Sequence, residues 1–200
     1  MRSKMSMILA TTVLLLVPAA AFANGGWTID ARGGIGLPMG DFKTLYKSGP
    51  LVSIEASRMM SPQFAIGVDG NYIKNGASDD YQTFLDTSVG PGTDGNAKLM
   101  HYGAHAKYMM STKTGNRMTP YLVGGGGLYH IKEEISNSGV TVSASDNKFG
   151  LRGGVGLNWM LGPKMGLGFQ ADYNDIFTSG GSSQFIGVSG GLHFMLPSSH

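Results

Sequence analysis

The sequence predicts an all-β fold, an eight-stranded antiparallel up-and-down transmembrane β-barrel that follows a cleaved N-terminal signal peptide. Apolar side chains alternate with small or polar ones over most of the chain, which is the two-residue period of a strand. Glycine contributes 32 of the 200 residues, about double its usual share of about 7%. Charged residues make up only 14% of the chain, against an average of about 25%. Long connections alternate with short ones, as in a transmembrane barrel with loops at one end and tight turns at the other.

The clearest alternation lies between Phe149 and Phe177. Large apolar side chains take the odd positions, whereas glycine, charged and amide residues take the even ones. The turn at Leu161–Lys164 contains Gly-Pro and joins two strands as a hairpin. A soluble lipocalin-like carrier alternates too, but its outer face would be rich in Lys, Glu and Thr. A glycine-rich face suits the crowded lumen of a narrow barrel, so the apolar face is predicted to contact lipid.

The length of these strands fits a membrane. Phe149 and Trp159 lie ten residues apart on the same face. At about 3.3 Å per residue and a tilt near 40°, that separation spans roughly 25 Å along the membrane normal, the height of a lipid-facing apolar band.

The first 23 residues have the features of a signal peptide. Arg2 and Lys4 precede an apolar run over Ile8–Val17, and Ala21-Phe22-Ala23 is a small-x-small cleavage site. The run is shorter than the roughly 20 residues of a membrane-spanning helix. Residues 24–200 are therefore predicted to form the barrel, with strands within 27–196 and a short polar tail at 197–200.

Composition also limits the function. The chain has 15 basic and 13 acidic residues, and removal of Arg2 and Lys4 leaves 13 of each. A neutral mature chain gives no support for nucleic-acid binding. Cysteine is absent, which excludes disulfides and cysteine-ligated metals.

Aromatic residues on the predicted outward face fall into two belts. In this assignment the strand that begins near Tyr121 directs Tyr121, Val123 and Tyr129 outward, with Gly124 and Gly126 inward. The predicted periplasmic girdle is Trp27, Phe64, Tyr108, Tyr121, Trp159 and Phe194, and the predicted outer girdle is Tyr72, Tyr102, Tyr129, Phe149 and Tyr173.

Charged residues on the inward face are predicted to form one ion network in the lumen. The set is Asp30, Arg32, Glu55, Asp69, Lys107, Arg152 and Asp172. The expected cross-strand pairs are Arg32 with Glu55, Asp69 with Lys107, and Arg152 with Asp172. Charges in a narrow lumen of low dielectric constant must be paired, so the network is expected to block ion flow and to stabilise the barrel.

Three segments carry a resemblance to a known family: Gly33–Phe42, Thr119–Gly127 and Phe149–Tyr173. They resemble the outer-membrane protein β-barrel domain family, small eight-stranded barrels of the OmpA and OmpX type. The resemblance implies a Gram-negative outer membrane, and the alternation of long and short connections predicts that both termini lie on the short-turn, periplasmic side. The resemblance also implies insertion by the outer-membrane insertion machinery through a C-terminal strand that ends in an outward aromatic, here Phe194. The chain continues to Pro197–His200, which departs from the family's usual terminal signal.

Candidate chemistry is sparse. His101, His105, His130 and His193 have inward parity, and His101 could face His130, but two imidazoles without a carboxylate make a weak metal site. A lipid-modifying enzyme needs an oriented nucleophile or base at the lipid face. The predicted outward positions in the membrane band carry no His, Ser or carboxylate. No catalytic, metal or cofactor site is therefore predicted.

Two of the predicted connections each allow two interpretations. Asn75–Ala97 contains four aspartates that either gather divalent cations or are simply solvated. Asp41–Lys47 is either a helical turn over the barrel mouth or an ordinary loop.

The function predicted is that of a non-enzymatic, structural or interacting outer-membrane barrel with specificity in its external loops. The expected partners are outer-membrane lipids, lipopolysaccharide and an extracellular ligand that the sequence does not define, and a monomer is expected. The main alternative is a porin-like barrel that binds or transports a small apolar ligand, which requires a cavity at the mouth. An eight-stranded barrel is just wide enough for side chains, which disfavours a general pore.

Overall fold

The structure is a computed structural model, and it describes residues 26–110, 117–178 and 181–196. Eight antiparallel strands pair in chain order, and the first pairs with the last to close the barrel. The strands are β1 Trp27–Met39, β2 Gly49–Ser61, β3 Phe64–Gly76, β4 Asp94–Met109, β5 Met118–Asn137, β6 Val140–Met160, β7 Met165–Thr178 and β8 Gly181–Leu196. The predicted eight-stranded up-and-down barrel is confirmed. The predicted leader and the tail at 197–200 lie outside the described residues.

Two short helices lie at the end of the barrel that carries the long connections. Helix α1 spans Gly40–Leu45 and helix α2 spans Asp79–Ser88. The predicted helical turn within Asp41–Lys47 is thus α1, and it begins at Gly40, which takes a φ of +55°. Ser78 caps α2 by accepting a hydrogen bond from the backbone N–H of Tyr81 at 3.2 Å. Within the described ranges, neither helix is long and apolar enough to cross a membrane.

The connection predicted at Lys132–Asn147 is not a loop. Strands β5 and β6 stay paired as far as Asn137 and Val140, so this segment is a hairpin that extends beyond β7, while β4 pairs with its β5 side as far as Ser136. Its two-residue turn places Ser138 at φ +48° and Gly139 at φ +85°. Positive φ at both positions matches the right-handed twist of a hairpin.

The predicted faces hold on every strand except β5. Tyr121, Val123 and Tyr129 are buried inside the barrel, whereas Leu122 and Leu128 are exposed on the outside. Tyr121 and Tyr129 are therefore lumen residues, and their assignment to the aromatic girdles is wrong.

Glycines on β6 explain why β5 can turn its tyrosines inward. A Cβ at Gly156 would lie 2.2 Å from Cζ of Tyr121, and a Cβ at Gly150 would lie 2.7 Å from Cε2 of Tyr129. Both rings therefore occupy space that only glycine leaves free.

The predicted cross-strand registers are also wrong, although the faces survive. Arg152 lies opposite Asn174, and Asp172 lies opposite Gly154. The β6–β7 turn is centred on Pro163 rather than on Gly162, because the amides of Leu161 and Gly162 both donate to the carbonyl of Met165 at 3.0 Å.

The other two registers are displaced in the same manner. Glu55 lies opposite Asp30 rather than Arg32, and Asp69 lies opposite Gly103 rather than Lys107. All these displacements are by an even number of residues, so each side chain keeps its face.

Candidate functional site: the filled lumen and its mouth

Glu55 on β2 is the centre of a buried ion network in the lumen. Its carboxylate lies 2.6 Å from a guanidinium nitrogen of Arg32, 2.7 Å from Nζ of Lys107 and 3.0 Å from a guanidinium nitrogen of Arg152. None of these side chains exposes more than 1% of its surface. Because one carboxylate contacts three cations from three other strands, Glu55 ties the strands together across the barrel.

Asp30 extends the network toward the β1–β8 seam. Its carboxylate contacts Lys107 at 3.0 Å, Arg32 at 3.3 Å and Nδ1 of His193 at 2.8 Å.

Asp69 extends it toward β4. Its carboxylate contacts Arg152 at 3.2 Å, Nδ1 of His105 at 2.8 Å and Nδ1 of His101 at 3.0 Å. Three of the histidines with inward parity thus each contact a buried carboxylate, a role that residue type and parity alone did not reveal.

Asp172 joins the network through Gln170. The Gln170 amide donates to Asp172 at 2.8 Å and to Glu55 at 3.1 Å, and its oxygen accepts from the Tyr121 hydroxyl at 2.7 Å. The structure therefore places all seven predicted network residues in the lumen, but the expected Arg152–Asp172 contact is replaced by contacts of Arg152 with Glu55 and Asp69.

Ser57, His105 and Asp69 form a hydrogen-bonded chain that the sequence analysis did not identify. Oγ of Ser57 lies 2.8 Å from Nε2 of His105, whose Nδ1 lies 2.8 Å from the carboxylate of Asp69. This is the order of groups that activates a serine nucleophile. Ser57 is fully buried, however, and neither cleft at the mouth includes it in its lining. Because the Ser57 hydroxyl has no exposed surface, the three residues contribute to the polar filling of the lumen.

Apolar clusters lie in the lumen on both sides of the charges. Toward the tight turns, Tyr121, Val123, Ala65 and Met109 pack together, with Met59 against them. Toward the long connections a larger cluster fills the mouth: Phe42, Tyr46, Leu51, Ile73, Ala97, Leu99, Tyr129, Ile176 and Phe185. The lumen thus contains three layers of side chains, apolar, charged and apolar.

Helix α1 and its C-cap residue Tyr46 supply two side chains of the mouth layer and are held in place by hydrogen bonds. Phe42 and Tyr46 are 7% and 3% exposed, and the Tyr46 hydroxyl donates to Glu133 at 2.9 Å. Burial, with the adjacent Glu133 carboxylate, raises the pKa of Tyr46. The Ser78 hydroxyl donates to the carbonyl of Thr44 at 2.6 Å. Clefts of about 450 and about 880 Å³ lie beside α1.

The β5–β6 extension presents an unpaired strand edge. Strand β6 pairs with β7 only from Gly150 onward, so the stretch from Val140 to Lys148 pairs with β5 alone. Val140 and Val142 on this edge are 67% and 68% exposed. An exposed edge of this kind offers backbone donors and acceptors to another molecule.

Lys98 on β4 links that strand to the base of the extension through Glu134 on β5. Glu134 contacts Lys132 at 2.7 Å and also contacts Lys98. Hydrogen bonds from Lys132 and Lys98 lower the pKa of Glu134 to about 2. These three residues lie beyond the apolar band of the strands.

Three further candidates from the sequence are His130, a metal site and the connection with four aspartates. His130 lies on the outside and pairs with Asn147 at 2.8 Å, so its predicted inward position opposite His101 is wrong. The described residues contain no group of three or more His, Asp or Glu that could hold a metal. In the connection with four aspartates, Asp79 contacts Lys47 at 2.6 Å and Asp86 accepts from the Thr93 amide at 3.1 Å.

The other predicted girdle residues lie on the outer face, and Phe194 is among them. Its neighbours across the sheet are Ile29 on β1 and Met165 on β7. The outer-face members are Trp27, Phe64, Tyr72, Tyr102, Tyr108, Phe149, Trp159, Tyr173 and Phe194.

The family model for the outer membrane protein beta-barrel domain matches residues 8–194. The chain belongs to this family. Neisserial surface protein A shares 20% identity, with a TM-score of 0.60 over 84% of this chain and 96% of that one. The attachment invasion locus protein Ail of Yersinia pestis shares 18% identity, with a TM-score of 0.53 over 85% and 97%. A major outer membrane protein from Thermus thermophilus shares 12% identity, with a TM-score of 0.58 over 85% and 99%.

No curated protein sequence matches the chain. At these identities the structural similarity establishes the fold alone. Family membership implies an outer-membrane location, and the outward apolar face of the barrel is the surface that such a location requires.

Proposed function

We propose that the protein is a non-enzymatic, closed outer-membrane barrel that anchors external segments for recognition. The observation that carries this proposal is the three-layered filling of the lumen, in which Glu55 holds three cations between two apolar layers. A filled lumen leaves the external segments as the surface available for interaction. Transport of a small apolar ligand would need a continuous passage where Phe42 and Tyr46 are packed.

The interaction role is supported by the β5–β6 extension. Its edge from Val140 to Lys148 combines unpaired backbone groups with exposed valines. The related protein Ail has been crystallised with the heparin analogue sucrose octasulfate. We therefore propose an extracellular ligand for this protein too, with the extension as its principal contact.

Lys132 and Ser145 pair across the hairpin, so an Asn-Gly turn that joins them removes the extension. The change also removes the β5 partners of Asp94–Ala97 on β4 and the Glu133 acceptor of the Tyr46 hydroxyl, so unboiled SDS-gel mobility must show that the shortened barrel is folded. Cells that express the full-length or the shortened protein would be compared for adhesion to heparin and to extracellular-matrix proteins. The proposal predicts adhesion that the shortened variant loses. Equal adhesion by both, or none by the full-length protein, contradicts the assigned role.

The orientation and the leader are part of the same proposal. The long connections face the exterior, the termini lie in the periplasm, and signal cleavage after Ala23 starts the mature chain at Asn24. Because the chain contains no cysteine, Ser138→Cys provides a unique label site at the hairpin tip. Intact cells should label at this position with a membrane-impermeant maleimide, and N-terminal sequencing should begin at Asn24. Labelling only after lysis contradicts the orientation.

The non-enzymatic assignment is tested at Ser57. The sealed Ser57–His105–Asp69 chain should not react with a fluorophosphonate probe in the folded barrel. Covalent labelling that Ser57→Ala abolishes would show a reactive serine and refute the assignment.

A further inference from the structure

The cleft of about 880 Å³ beside α1 lies where the lipid-facing surface meets the extracellular mouth. Its lower wall is Leu37, Pro38 and Met39 at the end of β1. Leu37 and Met39 lie on the outer face and are each 37% exposed. Leu37 pairs with Ile186, which pairs on its other side with Tyr173 of the predicted outer girdle. The apolar wall of the cleft is therefore continuous with the lipid-facing surface near the membrane boundary.

The upper wall carries cations and hydroxyl groups. Lys43 and Lys47 line it together with Ser48 and Ser78. Lys47 is engaged with Asp79 at 2.6 Å, whereas Lys43 on α1 is exposed and has an acid partner in none of the ion pairs of the described residues. The apolar wall, together with the available ammonium group of Lys43, matches an amphiphile with an anionic head.

Two acidic residues on the cleft favour a lipid over a free anion as its ligand. Asp79 and Asp80 also line the cleft, so its four charged residues sum to zero. A free phosphate would meet Asp80 with no apolar contact in return. A lipid gains the contact with Leu37 and Met39, and a divalent cation that accompanies its phosphate offsets Asp80.

We propose that this cleft holds the phosphorylated head of an outer-leaflet glycolipid, with Lys43 on the phosphate and the first acyl carbons against Leu37 and Met39. The inference rests on the proposed orientation, which the Ser138→Cys label tests separately. Binding would brace α1, which with its C-cap Tyr46 places Phe42 and Tyr46 in the mouth, against the membrane surface.

Native mass spectrometry of the detergent-solubilised barrel would measure binding of bisphosphorylated lipid A with magnesium. Lys43→Gln should weaken binding about five- to tenfold, the effect of one partly exposed charge-assisted contact. Met39→Asn should weaken it by a similar factor through the apolar wall. Lys164→Gln, in the β6–β7 turn at the other end of the barrel, should leave binding unchanged. Unaltered SDS-gel mobility of the unboiled variants shows that they remain folded.

Two results would overturn the proposal. Equal binding of lipid A by the wild type and by Lys43→Gln would show that Lys43 does not contact the phosphate. Inorganic phosphate with magnesium that binds as tightly as lipid A, with the same dependence on Lys43, shows a phosphate site without a lipid.

Discussion

Replacement of Glu55 by Gln tests the lumen network at its centre. The substitution keeps the shape of the side chain but removes the negative charge that contacts Arg32, Lys107 and Arg152 within 3.0 Å. The three cations then keep ion pairs with Asp30 or Asp69 only: Arg32 and Lys107 with Asp30, and Arg152 with Asp69. The amide group also directs N–H donors toward groups that can only donate.

The expected loss of stability is large. Removal of one partner from a buried ion pair costs about 3–5 kcal/mol, because the remaining charge is left without compensation. We expect a value in this range for Glu55→Gln, since Glu55 is fully buried and contacts three cations. Such a loss is a substantial part of a typical unfolding free energy of about 5–15 kcal/mol.

Urea unfolding in lipid vesicles would measure this loss, with fluorescence of Trp27 and Trp159 as the probe. Glu134→Gln is the matched control, because it makes the same chemical change at a carboxylate outside the lumen. A double-mutant cycle with Arg152→Met should show coupling of about 0.5–3 kcal/mol between the two sites. A change below about 1 kcal/mol for Glu55→Gln, or one no larger than that of Glu134→Gln, would refute the role of the network.

Three further predictions concern the faces and the extension. Val155 is 55% exposed on the outer face, so Val155→Arg should lower the free energy of unfolding in vesicles by about 2–4 kcal/mol. Ser138→Arg in the hairpin turn should change it little, and equal losses at the two positions would contradict the face assignment. Gly156→Ala should lower the free energy of unfolding by about 1–3 kcal/mol, because the added Cβ would overlap the Tyr121 ring. Gly124→Ala is the control: its Cβ meets open space, so the free energy of unfolding should change by less than about 0.5 kcal/mol. The Glu134 carboxyl should titrate with a pKa of about 2 by NMR, and titration near the ordinary 4.5 would show that its lysine contacts are absent.

The sign of the Glu134 effect follows from linkage. Its folded-state pKa is lowered, so the ionised form stabilises the base of the extension fully above the ordinary pKa of 4.5. That contribution is lost as the pH falls from about 4.5 through about 2.

The barrel, the membership of the network and the Arg32–Glu55 contact could be predicted from the sequence. The other two expected pairs, Asp69 with Lys107 and Arg152 with Asp172, could not, because the structure gives Lys107 to Asp30 and Glu55, and Arg152 to Glu55 and Asp69. Strand alternation determines the face of a residue, and a register displaced by two residues does not change that face. Which charges meet depends on the turn, and centring the β6–β7 turn on Pro163 brings Arg152 to Asn174 instead of Asp172.

Strand β5 was assigned to the wrong faces for a different reason. Gly124–Gly127 places glycine at four successive positions, so the run carries no alternation that could fix the faces of Tyr121 and Tyr129. The deciding information lies on the neighbouring strand, where Gly150 and Gly156 leave room for the two rings.

The closed lumen is the central claim, and electrical recording tests it most directly. The purified barrel would be reconstituted into planar lipid bilayers, and single-channel current would be recorded in concentrated salt. With Glu55 and its three cations between apolar layers, no stable conductance step is expected. Reproducible ohmic steps from the wild-type protein would show a continuous aqueous path and contradict the closed-barrel account.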